Sequence, residues 1–264
     1  MKVKLIGTGT SHGIPVAGCS CDVCMSKNPK NIRYRSSALI ASGGKNIIID
    51  VPAEFRLRSL EYGIKRIDAV LLTHSHADHT AGMDDIRRYN EIQGADIPLF
   101  ADPDTLEETK KRFSYMFTHT QEGGGKPKLK THSVNFGNEF SAEGVKILPL
   151  DVKHGCLVIT GYRTGGFAYL TDVSGIPEYN FSKLEDLDVL VLDALRTAPH
   201  PTHFNLEQAV DAAKRIGAKK TYFTHISHSL EHDAVNSQLP EGMELAYDGI
   251  EFQARDAGEY GEKA

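Results

Sequence analysis

Apolar residues recur along this chain with two periods, and each period predicts an element type. Short runs rich in β-branched residues predict strands at Lys2–Ile6, Ser36–Ala41, Ile47–Asp50, Ile67–Thr73 and Pro98–Ala101. The same pattern continues at Lys146–Val152, Leu157–Tyr162, Phe167–Thr171, Leu187–Leu192 and Lys220–Thr224. Ile67–Thr73 is largely apolar, as suits a strand buried on both faces. Helical spacing predicts helices over Glu54–Tyr62, Ala81–Gln93 and Thr105–Met116. Leu206, Ala209, Val210, Ala213 and Ile216 form one further helical face, with Asn205 placed as N-cap, Gln208 at N3 and Gly217 after the end.

Turn chemistry fills the gaps. Gly7-Thr8-Gly9-Thr10 predicts a tight loop, Ser42-Gly43-Gly44-Lys45 a turn, and Asp248-Gly249 a hairpin between two strand-like pieces. Residues 119–130 hold three consecutive Gly and three Lys and predict a mobile loop. The stretch from Cys19 to Arg33 is irregular, and from about Asp256 the chain is polar and expected to fray. Strands followed by mixed strands and helices, in both halves, suit sheet layers with helices outside.

Composition narrows the function classes. The 264 residues show no repeat, low-complexity segment or linker, so one domain over 1–264 is expected. Lys plus Arg is 30 and Asp plus Glu 35, a net charge of −5 that argues against a general polyanion binder and makes nucleic acid an unfavoured partner. A local basic patch for a phosphate remains compatible with it. A hydrophobic content of 40% is ordinary for a globular chain. There is no apolar run of about 18 residues to span a membrane. The start lacks the apolar stretch of a secretory signal, so a cytoplasmic location is expected. A homodimer is left open.

The densest chemistry is His74-x-His76-x-Asp78-His79, four potential ligands in six positions at the end of an apolar strand. Imidazole and carboxylate together suit zinc, manganese or ferrous iron. Alternate residues of an extended segment share a side, so His74 and His76 can meet one ion, while the following turn can aim Asp78 and His79 at a second. Cys19, Cys21 and Cys24 offer three thiolates within six residues, which in a cytoplasmic chain suggests a metal before a disulfide. A closed tetrahedral zinc needs a fourth ligand, and His228, three residues after His225, is proposed for it. Cys156 is read as ordinary packing. Gly7-x-Gly9 has His12 where a dinucleotide loop needs its third glycine, so a nicotinamide or flavin site is set aside.

The His-x-His-x-Asp-His motif resembles that of the metallo-β-lactamase superfamily of dinuclear hydrolases, and the likeness runs over nearly the whole chain. It implies an α+β fold, a four-layer αββα sandwich with two divalent ions at one edge. It further implies one ion held by His74, His76 and His154, another by Asp78, His79 and His225, and Asp172 bridging both. Two ions a few ångströms apart share a water, lower its pKa and present hydroxide at neutral pH. Asp172 and histidines throughout depart from the Cys-containing second site of many β-lactamases, which weakens a lactam substrate.

Together with the Cys cluster, Gly7-Thr8-Gly9-Thr10-Ser11 and Arg33-x-Arg35-Ser36-Ser37 resemble the PhnP-type phosphodiesterases. That likeness implies a small cyclic phosphodiester substrate, of ribose phosphate or nucleotide-like type, and a structural zinc on Cys19, Cys21, Cys24 and His228. A diester also needs a proton for its leaving oxygen. His200 and His203 are both candidates, and the resemblance favours His203, with Asp78 and Asp172 as its catalytic companions at the metals. Arg35, Arg196 and His200 are candidate phosphate contacts. Lys126, Lys128 and Lys130 are read rather as a solvated loop, and His12 as a turn residue. The alternatives are a tRNA 3′-processing endonuclease and a non-catalytic metal-binding accessory protein of a biosynthetic pathway.

Overall fold

Ile47, Ile48 and Ile49 explain why the central strands are apolar at every position. Ile47 and Ile49 face a core between two sheets, and Ile48 faces a second core under helices. All three are fully buried, each contributing about 1.5–3 kcal/mol of transfer free energy. The computed structural model describes residues 1–119 and 125–257.

The first sheet contains β1 (Lys2–Gly7), β2 (Ser37–Ser42), β3 (Lys45–Ile49), β4 (Ala69–Leu71), β5 (Ile97–Ala101) and β6 (Leu129–Ser133). The second contains β7 (Phe140–Ala142), β8 (Val145–His154), β9 (Leu157–Thr164), β10 (Phe167–Leu170), β11 (Val189–Asp193), β12 (Lys220–Thr224) and β13 (Met243–Leu245). The last strand, β14 (Glu251–Gln253), returns to the first sheet beside β1. Strand order is 14-1-2-3-4-5-6 in one sheet and 13-12-11-10-9-8-7 in the other.

Between the sheets lie Val3, Leu5, Ile40, Leu71, Tyr162, Phe167, Tyr169 and Val191. Outside the first sheet pack α1 (Phe55–Glu61), α2 (Ala77–Thr80), α3 (Arg87–Gln93), α4 (Pro103–Arg112) and α5 (Ser114–Phe117), with Phe55, Ile86, Tyr89 and Leu106 in their core. Outside the second pack α6 (Leu206–Ile216) and α7 (His232–Asn236), with Ala209, Ala213 and Ile216 against Leu190 and Leu192. The result is the four-layer αββα sandwich that the motifs imply. Among the described residues no helix is long and apolar enough to cross a membrane.

Strand direction places the chemistry. β3, β4, β5 and β6 run parallel, as do β10, β11, β12 and β13. β8 and β10 are each antiparallel to β9, so β8 shares their direction. The chain therefore leaves β3, β4, β8, β10, β11 and β12 along one rim. The Tyr162 hydroxyl donates to the Leu72 carbonyl at 2.7 Å, and Thr160 N to that of Thr73 at 2.9 Å. These two bonds pin the end of β4 to the opposite sheet just before His74.

Several elements differ from the sequence reading. Asp248-Gly249 forms no hairpin, because β13 and β14 belong to different sheets and the chain crosses between them there. The Asp248 carboxylate accepts from Thr8 Oγ1 and Tyr34 N, so the pair serves the N-terminal loop. The helix expected over Ala81–Gln93 is broken. α2 begins earlier and carries Asp78 and His79, a 3-10 turn spans Met83–Ile86, and α3 follows. Gly82 lies at the break, where a Cβ would meet the Pro52 carbonyl oxygen at 2.1 Å. The expected Thr105–Met116 helix starts at Pro103, capped by Asp102, and is interrupted at Phe113. Strands β6 and β7 have too little apolar periodicity to be read. Of the loop expected over 119–130, residues 125–128 are irregular, Lys128 pairs through its backbone with Asn90, Lys130 lies within β6, and residues 120–124 lie outside the described residues. Asp256, where fraying was expected to begin, pairs with the Met1 ammonium group and Ser42, and residues 258–264 lie outside the described residues.

Candidate metal centre

The rim gathers all seven residues of the first constellation. His74, His76 and His154 form one group whose ligand atoms lie within 4.8 Å of one another, and Asp78, His79, Asp172 and His225 form a second. Asp172 also lies within that range of His154 and His203, so it faces both groups. His74 Nε2 is 3.0 Å from His76 Nδ1. His79 Nε2 is 3.2 Å from Asp172 Oδ2, and His225 Nε2 is 3.2 Å from Asp172 Oδ1.

Three of the rings are oriented by their other nitrogen. His79 Nδ1 lies 2.7 Å from Asp50 Oδ2, His154 Nδ1 lies 2.8 Å from the Thr202 carbonyl, and His74 Nδ1 lies 3.0 Å from Thr73 Oγ1. These partners leave Nε2 of His74, His79 and His154 turned inward, the arrangement that metal-binding imidazoles use. His79 Nε2 and His225 Nε2 are buried with no hydrogen-bond partner. An orphaned buried nitrogen costs about 1–3 kcal/mol, which a cation placed between these groups would remove. The donor set therefore fits two divalent ions.

The electrostatics point the same way. Burial would lift Asp172 and Asp78, yet the surrounding histidines hold both well below the usual carboxylate range. Burial disfavours charge on His225 and His79, but Asp172 and the other carboxylates around them hold both above the usual imidazole value. Burial lowers His74, His76 and His154, which suits neutral ligands.

Backbone conformation is also unusual here. Asp50, Asp172 and His225 have φ of 60°, 60° and 57°, in the left-handed region that non-glycine residues avoid. Asp50 and His225 directly follow β3 and β12, and Asp172 lies two residues after β10. Such strain, of order 1–3 kcal/mol per residue, persists when the surroundings over-determine it, and it clusters at functional sites.

Two carboxylates escaped the sequence reading. Asp50 accepts from Thr73 N and Oγ1 while meeting His79. Asp193 places Oδ2 3.0 Å from His203 Nδ1 and Oδ1 3.7 Å from His225 Nδ1. Both are completely buried, and burial raises both above the usual carboxylate value. The resemblance singled out Asp172 at the end of an apolar strand, and an acid at the end of an apolar strand also stands at Ile49-Asp50 and Leu192-Asp193.

Of the proton-donor candidates, His203 lies closer to the carboxylates. Its Nε2 is 4.0 Å from Asp172 Oδ1, and its ring stacks on His225 at 4.7 Å. Burial, with His225 adjacent, pushes the free imidazole down to about 4. His200 lies 5.1 Å from His203, ring to ring, and its Nδ1 faces Thr202. Asn205 holds this loop: its side chain accepts from Gln208 N at 2.9 Å, and Gln208 Oε1 accepts from Asn205 N at 3.0 Å. A cap of this kind contributes about 1 kcal/mol. Beside His203 opens a cavity of about 420 Å³, lined by Thr10, Ser11, His12, Arg196, His200 and His228 among others. Arg35 is not part of that lining, since its guanidinium is engaged by Glu54 and the Ser11 carbonyl. Lys126 donates to the Thr118 carbonyl.

The second constellation reaches this cavity through His228. His228 Nδ1 lies 3.3, 3.5 and 3.4 Å from the Sγ atoms of Cys19, Cys21 and Cys24. A tetrahedral zinc with ordinary bond lengths places N and S about 3.6 Å apart, so these four residues fit one ion. The glycine loop brings them together. Thr10 N donates to the Ile226 carbonyl and Ile226 N to that of Thr8, tying the N-terminal loop to the segment bearing His225 and His228. Gly7 is obligatory there, because a Cβ would lie 2.0 Å from the Arg35 carbonyl oxygen. Cys156, expected to pack, is exposed instead, at the β8–β9 turn.

This fold, with paired His/Asp groups on the rim of two facing sheets, defines a class of metal-dependent hydrolase. Residues 45–226 match the family model described as the beta-lactamase superfamily domain, and the chain belongs to that superfamily. It resembles a crystal structure described as a new diphosphatase from the PhnP family, with 43% identity and a TM-score of 0.89 over 95% of this chain and 96% of that one. An octanoyltransferase of Porphyromonas gingivalis is 36% identical over 95% of the chain, but the chain spans only 51% of that relative's length. Ribonuclease Z of Mycolicibacterium gilvum is 24% identical over 88% of this chain and 86% of that protein. The Zn²⁺-bound structure of PqqB from Methylobacterium extorquens shares the fold, with a TM-score of 0.77 at 17% identity over 96% of this chain and all of that one.

Proposed function

We propose that this hydrolase cleaves small phosphodiesters, cyclic ribose phosphates or nucleotide-like diesters among them. In this reading His74, His76 and His154 would hold one divalent ion, Asp78, His79 and His225 would hold another, and Asp172 would be shared by both. Zinc or manganese suits the pair, with iron also compatible, and Cys19, Cys21, Cys24 and His228 would hold a separate zinc. Bound ions lower the pKa of a shared water and neutralise charge on the phosphoryl oxygens.

The observation that carries the reading is the Asp193–His203–Asp172 arrangement. It sets an oriented imidazole at the mouth of a cavity, beside the carboxylate common to both groups. As water adds to phosphorus, the bond to the leaving oxygen breaks, and that oxygen needs a proton. His203 Nε2–H supplies it, and the proton released by water recharges the ring through solvent. Asp193 orients Nδ1 and stabilises the imidazolium. The negative charge of the substrate offsets the burial that disfavours protonating His203 in the free site.

A second reading, cleavage of a diphosphate, draws support from the diphosphatase of the PhnP family at 43% identity. The two are separated by leaving-group basicity. A departing phosphate or nitrophenolate needs little protonation, whereas a departing alkoxide needs it fully. The test combines metal analysis with hydrolysis of bis(p-nitrophenyl) phosphate, before and after chelation. Close to three metals per chain, with activity lost on chelation and restored by manganese or zinc, is the expected result. A fully metallated protein inert toward diesters and diphosphates would overturn the reading.

A further inference from the structure

His228 faces two ways. Its Nδ1 is turned into the three thiols, and its ring also lines the 420 Å³ cavity that begins at His203. The edge carrying Nε2 therefore lies away from the cage, and among the described residues no atom accepts a hydrogen bond from it. Metal-binding imidazoles almost always donate the second nitrogen's proton to a carboxylate, carbonyl or water. Here that position is left to whatever fills the cavity.

The cavity's other polar groups share one preference. His12, Arg196 and His200 supply positive or donor-capable nitrogen, and Ser11, Ser227 and Ser229 supply hydroxyls. No carboxylate is among the lining residues. The Arg196 guanidinium is held at the rim through the carbonyls of Ala198 and Pro199. This lining is thus built for a hydrogen-bond acceptor.

We infer that the Cys₃His cage forms part of the substrate pocket, and that His228 Nε2–H is a specificity-determining donor to an anionic group on the leaving-group side of the substrate. The inference rests on the hydrolase reading above. With Nδ1 on a metal, the only proton of the neutral ring sits on Nε2, so this nitrogen is a donor in the metal-loaded protein and never an acceptor. The metal also withdraws electrons from the ring and strengthens the donor. A cage of four cysteines would hold the loop equally well but would lack this donor.

His228→Cys makes that comparison, since it converts the cage to four thiolates. Binding to the metal-loaded protein is measured by calorimetry with two probes, methylphosphonate and phosphonoacetate. Both offer a phosphonate to the dinuclear groups, and phosphonoacetate adds a carboxylate for the cavity. Wild-type protein is expected to prefer phosphonoacetate. With metal content unchanged, the variant should lose about tenfold or more of that affinity, the value of one charge-assisted hydrogen bond, and bind methylphosphonate as before. Equal affinities of both proteins for phosphonoacetate, or an equal loss for both probes, would overturn the inference.

If the variant fails to hold its metal, the wild-type protein decides. The ¹⁵N-coupled Nε2–H proton of His228 should shift on titration with phosphonoacetate and stay in place with methylphosphonate, and an unmoved signal with both counts against the donor. Loss of all diester hydrolysis in wild-type protein would instead refute the underlying reading, so the two failures are distinguishable.

Discussion

The two candidate metal groups are built in opposite ways. The His/Asp groups draw residues from four strand ends in both sheets, bury five of the seven and place two of them, Asp172 and His225, at positive φ. The Cys/His group takes three ligands from one short loop and a fourth from the segment after β12, and its cysteines are only partly buried except for Cys24. A cage of short-range ligands can form as soon as one distant residue arrives. A centre of long-range ligands exists only after both sheets have packed. Catalysis needs the second kind, because groups aimed at a reacting atom must not relax around it.

The largest effect is expected at the residue shared by both His/Asp groups. Asp172→Ala should remove most metal from that pair and slow hydrolysis by about a thousandfold, several kcal/mol of lost charge stabilisation. The cage metal should remain, as metal analysis would show. Retention of all metals and full turnover would break the contrast between the centres.

Next in size is His203→Ala. Metal content should hold, while turnover of alkyl diesters falls by on the order of a hundredfold. Bis(p-nitrophenyl) phosphate should lose far less, because its leaving group is weakly basic. Equal losses on both substrates would assign His203 to binding and not to proton transfer.

Asp193→Asn should cost roughly 10–100-fold in turnover or metal affinity, because one carboxylate meets both His203 and His225. Cys21→Ser sharpens the other side of the comparison. About one metal per chain should be lost and the melting temperature should fall, with diester hydrolysis reduced much less than by Asp172→Ala.

The smallest effect belongs to a carboxylate outside both groups. Asp188 accepts from Lys219 Nζ and Arg255, and although burial opposes ionisation, these partners hold it below the usual carboxylate range. A depressed carboxylate adds stability above the unfolded-state value of about 4, and that stability fades as pH falls through the folded value. Asp188→Asn should therefore lower stability by about 1 kcal/mol near pH 7, and the difference in melting temperature should shrink below pH 4. Metal content and turnover should not change.

Local patterns carried much of this. His74, His76, Asp78 and His79 were legible because one strand end and one turn supply all four. α6 was legible because its apolar face, its Asn205 cap and Gly217 agree with one another. β6 and β7 were not, because a half-exposed edge strand such as Leu129–Ser133 needs little apolar sequence. Asp248-Gly249 misled because a two-residue turn signal does not say which sheet the next strand joins.

The sequence by itself determined the layering of sheets with helices outside, the metal-binding motif and the clustering of three thiols, since each depends on residue type and near-neighbour spacing, and its resemblance to a family supplied the fold class. Only the tertiary structure decided that Asp50 and Asp193 orient the histidines, that His203 lies beside Asp172, and that His228 borders the same cavity. Those relations join residues far apart in the chain, and they exist only where two sheets close on each other along one rim.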